Sequence, residues 1–112
     1  MHKAAINGDA KKVRELIRNG ADVNAKYQGL TPLHVACGAG YERVASVLVH
    51  NGAANIDERE DKNGWTPFLM AVRYGHPRIV RLLIRREANV NVKDYKNKTA
   101  LHIACYQDRI DN

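Results

Sequence analysis

Five histidines and two cysteines are the side chains here with most capacity for chemistry. His34 and His102 close two copies of one tetrapeptide, Thr31-Pro32-Leu33-His34 and Thr99-Ala100-Leu101-His102. Their separation therefore reports periodicity, not the close approach that a metal site or a nucleophile–base pair requires. His76 follows Gly75 in a turn and reads as structural. Cys37 and Cys105 occupy the same slot in two different units, with one full unit between them. At about 10 Å per helix layer they would lie on the order of 20 Å apart, beyond the ~7 Å that a disulfide spans. They read as small buried hydrophobes. Four acids fall in five positions from Asp57 to Asp61, within the stretch Asn55 to Gly64. The ligand spacing and central glycine of a calcium loop are missing, so an extended charged finger is expected there instead. No glycine-rich phosphate loop appears. The sequence thus assigns no catalytic residue, no metal ligand and no cofactor, and the chain is read as a non-enzyme.

The elements that carry these side chains are set by repetition. The tetrapeptide returns as Thr66-Pro67-Phe68-Leu69, at offsets of 35 and then 33 residues, and Met1-His2 stands where an earlier copy would end. Self-similarity at this period marks a repeat array. Each Thr can cap a helix with its hydroxyl, and Pro at the first helical position lacks only an N–H that has no intrahelical partner. Leu33, Phe68 and Leu101 are placed to enter a core, and His34 and His102 to bond back to the Thr. Small residues follow, Ala36-Cys37, Ala71-Val72 and Ala104-Cys105, which let a neighbouring helix approach closely.

A break comes next, Gly8-Asp9, Gly40-Tyr41 and Gly75-His76, and after each break a second apolar run. Val13, Leu16 and Ile17, then Val44, Val47, Leu48 and Val49, then Ile79, Val80, Leu82, Leu83 and Ile84 recur with spacings of three and four, as amphipathic helices do. Gly20-Ala21 and Gly52-Ala53 stop two of these helices. Glu87-Ala88 replaces the glycine in the third, so strain is expected at that end. Gly38 and Gly40 are expected to leave a flat surface that a partner backbone can approach.

Helix, short turn, helix and hairpin-like loop, with Thr-Pro-Leu-His, the Gly-His pair and Gly20-Ala21-Asp22-Val23-Asn24 in phase, resemble the ankyrin repeat. The resemblance covers essentially the whole chain. It implies an all-α solenoid of stacked helix-turn-helix units with hairpin-like loops, here one domain, 1–112. The units run approximately 1–24, 25–54, 55–91 and 92–112, the last truncated. The loop Lys26 to Leu30 is one residue shorter than the family's usual loop, and Asn55 to Gly64 two residues longer. Leu101 and Ile103 are expected to lack their partner helix, which leaves an end-to-end contact available through the uncapped C-terminal unit.

In that family partners are gripped by loop tips and by the exposed inner face of the first helices. The resemblance therefore points to Tyr27, Gln28 and Leu30, to Lys62, Asn63 and Trp65, and to Tyr95, Lys96 and Lys98 at the tips. On the helix ends it points to Arg73, Tyr74, Tyr106 and Gln107. Tyr, Trp and Arg ringed by polar residues are how a protein interface concentrates binding energy. The resemblance also implies possible hydroxylation of Asn24 and Asn91, each eight residues beyond a core leucine, Leu16 and Leu83.

Composition narrows the rest. With 112 residues and 45% hydrophobic content the chain can bury a core. It has no apolar run long enough to span a bilayer and no N-terminal signal segment, so no membrane insertion and an intracellular, cytoplasmic or nuclear setting are expected. The formal charge of +6 invites a nucleic-acid reading. The arginines of the second helices are interleaved with apolar positions, however, as a solvated face requires. The expected function is recognition of another protein or peptide, with no small-molecule substrate. The alternatives are a basic module touching nucleic acid or an acidic surface, and a passive scaffold segment of a longer adaptor.

Overall fold

The computed structural model describes residues 1–51 and 54–104. Cys105, Tyr106, Gln107 and the Gly52-Ala53 stop lie outside the described residues. Six helices run in pairs: α1 (His2–Ile6) with α2 (Ala10–Arg18), α3 (Pro32–Ala39) with α4 (Glu42–His50), and α5 (Pro67–Arg73) with α6 (Pro77–Arg85). A further helix starts at residue 100 and is described to residue 104. The first helices pack on one another in the order α1, α3, α5, and the second helices in the order α2, α4, α6. This is the all-α stacked array that the repeats predict, and among the described residues the only β pairing is the bridge between Tyr27 and Leu30.

The tetrapeptides open first helices as expected. Thr31 and Thr66 cap α3 and α5, accepting from the N–H of His34 and Leu69, and Pro32 and Pro67 take the first helical position. Leu33 and Phe68 enter the core, beside Ala36, Cys37 and Ala71, which are fully buried. Burial pushes the Cys37 thiol far up, so it stays protonated and inert. In the fourth unit the pattern divides. Leu101 is 74% exposed, whereas Ile103, expected to lack cover, is buried.

Layers are joined by contacts that recur in register. His2 Nε2 donates to the Leu30 carbonyl and His34 Nε2 to the Trp65 carbonyl, each at 2.8 Å. The Asn24 side-chain oxygen accepts from Asn55 N–H at 2.7 Å, and Asp57 accepts from Asn89 N–H at 2.9 Å. Asp61 N–H reaches Gly29 O at 3.1 Å and Tyr95 N–H reaches Asn63 O at 2.9 Å. Each contact thus joins one unit to the next and recurs one unit further on, so stability propagates between neighbours.

Two sequence expectations are corrected by this stacking, and a third loop takes a defined form. Gly38 and Gly40 do not leave room for a partner backbone: Tyr74 and Met70 face Gly38, the His76 ring lies over Gly40, and His76 Nε2 donates to Gly38 O at 3.1 Å. The stretch from Asp57 to Asp61 is not a free charged finger. Glu60 is buried and accepts from the N–H groups of Lys62, Asn63 and Trp65, while Glu58 and Asp61 hold Lys26 at 3.4 and 2.8 Å. The short loop at Tyr27 closes as a two-residue turn in which Gln28 and Gly29 both have positive φ, 54° and 80°. That is the turn whose twist matches a hairpin.

Glu87 adopts φ 65° just past the end of α6, where Gly20 has φ 86° after α2. The strain expected at this helix end is therefore present as a left-handed non-glycine residue. Glu87→Gly is expected to stabilise the chain by about 0.5–1 kcal/mol, the relieved strain net of the added chain entropy. Thermal unfolding checks it, and the melting temperature should rise by a few degrees.

Candidate protein interface

The side chains singled out in the sequence sit on three hairpin tips and on the end of α5. Tyr27 is 59% exposed, Tyr95 62% and Tyr74 48%, all unusually open for aromatic rings. Two of them are backed by arginine. Arg59 lies over the Tyr95 ring and Arg73 over the Tyr74 ring, each 5.9 Å from the ring centre. Such a cation on a ring face holds both groups in place and keeps the other face free. Tyr27 is steadied instead by the His2 ring, 5.8 Å away and tilted by 52°.

Asn63, Trp65, Arg73, Lys96 and Lys98 come together, with Asp94, His102 and Ile103, around one cleft of about 300 Å³. The cleft joins two hairpin tips to the end of a first helix, so tip and helix residues do share a surface. Tyr27, Gln28 and Leu30 belong to the preceding tip, next to the one that carries Asn63 and Trp65. Leu30 is half-buried against the core and its carbonyl is taken by His2. Gln28 and Lys62 are exposed.

Trp65 has a double role. One part of the ring packs against the core, and Nε1–H donates to Asp94 Oδ2 at 3.0 Å. Asp94 is the organiser that the sequence reading did not name. It is buried, and its other oxygen accepts from the N–H groups of Lys96 and Lys98, each at 2.9 Å. Burial alone would raise its pKa. The Lys98 amide, the Trp65 indole and the Lys96 amide outweigh that and hold it below the usual carboxylate value. The carboxylate therefore fixes this tip throughout the neutral range and releases it only in strong acid. Glu60 performs the same service for the preceding tip, 34 positions earlier. An acid recurring in the same slot of two units was the signal that could have revealed both.

Arg59 was also missed. Its guanidinium donates to Gly64 O at 2.8 Å and Lys93 O at 2.6 Å, pinning two tips together beneath Tyr95. Asn24 and Asn91 are exposed. Asn24 N–H bonds Asp22 and Asn91 N–H bonds Asn89, and the Asn24 side chain is engaged by Asn55. Among the described residues no group of three or more His, Cys, Asp or Glu is arranged to hold a metal ion, and no helix is long and apolar enough to cross a membrane.

The surface is thus wide, shallow, ring-bearing and polar-rimmed, suited to a macromolecule. Comparison with known proteins agrees with this architecture. A family model described as ankyrin repeats (3 copies) matches residues 1–60 and 54–112. The chain is similar to neurogenic locus notch homolog protein 1 of Xenopus laevis, 35% identical over 112 residues, covering 99% of this chain and 4% of that protein. Similarity to neurogenic locus notch homolog protein 2 of Homo sapiens is 34%, and to homolog protein 1 of Homo sapiens 33%, with the same coverage in both. The chain therefore spans about one twenty-fifth of the length of these relatives. A shared array with a shared period of contacts, matched from end to end by the family model, leaves one conclusion: the chain belongs to the ankyrin-repeat family, whose repeats are protein-interaction modules.

Proposed function

We propose that the chain grips an extended segment of another protein along its inner side, with hairpin tips on one flank and the ends of the first helices on the other. The mechanism is rigid presentation. Tyr27, Tyr74 and Tyr95 are held by a neighbouring ring or by arginine before any partner arrives, so docking costs little side-chain ordering. The single observation that carries this reading is the pairing of exposure with support: rings about half or more exposed, each braced from beneath or beside. Rings left open merely by chance would have no such bracing.

The cleft at Trp65 adds chemical character. Arg73, Lys96 and Lys98 on its rim, with one buried carboxylate below, favour a partner segment that brings acidic or carbonyl groups beside an apolar side chain. The expected outcome for Tyr74→Ala/Tyr95→Ala is a loss of at least about thirtyfold in affinity for a cognate peptide with the fold retained. Isothermal titration beside thermal unfolding reads both quantities.

A further inference from the structure

The formal charge of +6 is not spread evenly over the molecule. Helices α2, α4 and α6 carry eight lysines and arginines against only Glu15 and Glu42. The whole excess therefore sits on the three second helices, and elsewhere ten cations meet ten carboxylates. Stacking also brings these charges into rows. The second residue of each helix is Lys11, Arg43 and Arg78 in turn.

The two gaps between these helices differ. Between α4 and α6, Arg78 pairs with Glu42 at 3.8 Å. Between α2 and α4 lies a groove of about 410 Å³ lined by Ala10, Lys11, Arg14, Arg43, Ser46 and Val47. Among the described residues its three cations have no carboxylate within ion-pairing distance. Three like charges around one hollow, with a hydroxyl beside them and an apolar floor, make a site that an anion would relieve.

The shape selects the kind of anion. No Tyr, Trp or Phe occurs on α2, α4 or α6, so nothing there can stack unpaired bases. Ile84 is the one exposed large hydrophobic on these helices among the described residues, too little to enter a bilayer surface. Along α2 the two cations that line the groove, Lys11 and Arg14, are separated by a rise of about 4.5 Å at about 1.5 Å per residue. Alternate side chains of an extended peptide are about 6.6–6.8 Å apart, a difference that the long, flexible Lys and Arg stems take up. We infer that the groove between α2 and α4 binds an extended acidic peptide of a partner protein, with carboxylates at alternate positions, independently of the ring-bearing inner side.

A fluorescein-labelled peptide of about twelve residues alternating Glu and Ala, titrated with the full chain, reads this by anisotropy. Saturable binding is expected, weakened several-fold between about 50 and about 200 mM salt. Arg14→Gln/Arg43→Gln is expected to lower the affinity at least tenfold, and the exposure of both side chains keeps the fold intact. Tyr74→Ala/Tyr95→Ala is expected to leave it within twofold, which separates this site from the inner one. No binding, or equal binding by wild type and the Arg14/Arg43 variant, overturns the assignment. So does tighter binding of phosphatidylserine vesicles or single-stranded oligonucleotide through the same two arginines.

Discussion

Replacing His34 by alanine is expected to cost about 3 kcal/mol, one of the largest losses available from a single side chain here. The imidazole is fully buried and saturated. Nε2 faces the Trp65 carbonyl at 2.8 Å, and a carbonyl only accepts, so Nε2 carries the proton. Nδ1 is then the acceptor for Thr31 N–H at 3.3 Å and for the Thr31 hydroxyl at 2.8 Å. Alanine would leave a cavity and strand the Thr31 amide and the Trp65 carbonyl, at the helix cap and at the joint between the second and third layers. The melting temperature should fall by about 12–20 °C. His102→Ala is the control. Its bonds to Thr99 are the same but exposed, so water replaces them and the loss should stay below about 1 kcal/mol.

The same geometry sets a pH dependence. Burial lowers the His34 pKa; the Trp65 carbonyl and the Glu60 carboxylate pull it upward but do not prevail. The folded value lies below the unfolded one of about 6.5, so the unfolded chain takes the proton first. Stability is whole above about pH 6.5 and declines as the pH falls from there toward the folded value. The His34→Ala variant should lack this component, which urea unfolding at several pH values will show.

Gly40→Val is expected to destabilise by roughly 3 kcal/mol, for two separable reasons. Gly40 has φ 83°, a conformation that costs a β-branched residue about 1–2 kcal/mol. A Cβ there would also stand 2.6 Å from the His76 ring, which its bond to Gly38 O holds in place. Gly20→Val isolates the first reason, since Gly20 has φ 86° with nothing within 4 Å of a Cβ. The difference between the two losses, measured by denaturant titration, reports the contact between layers directly. Equal losses would show that His76 yields freely and that the interlayer lock is weak.

Much of this architecture was legible because a repeat states each local rule several times. Thr31 and Thr66 before Pro, the small residues at Ala36 and Ala71, and the amphipathic second helices each announce their roles by type and spacing. Glu87 showed its strain by standing where Gly20 stands two units earlier. What escaped were contacts made between units. The sequence marks Gly40 as permissive but not that the ring of His76, 36 residues later, occupies the space. Asp94 and Glu60 read as surface acids in a loop, because nothing local says that three amide or indole N–H groups converge on each. Arg59 likewise gained meaning only when two hairpin tips were brought side by side. Of the proposed interface, the rings could be named from the sequence, whereas their bracing by Arg59, Arg73 and His2 could not.

Affinity for a peptide selected from a displayed random library on the wild-type chain tests most directly whether stacked layers hold an inner row of rings ready for a protein partner. Tyr74→Ala/Tyr95→Ala is predicted to lose at least about thirtyfold of that affinity while its melting temperature stays within a few degrees of wild type. Undiminished affinity in the double variant, or a loss accompanied by collapse of its thermal stability, would contradict it.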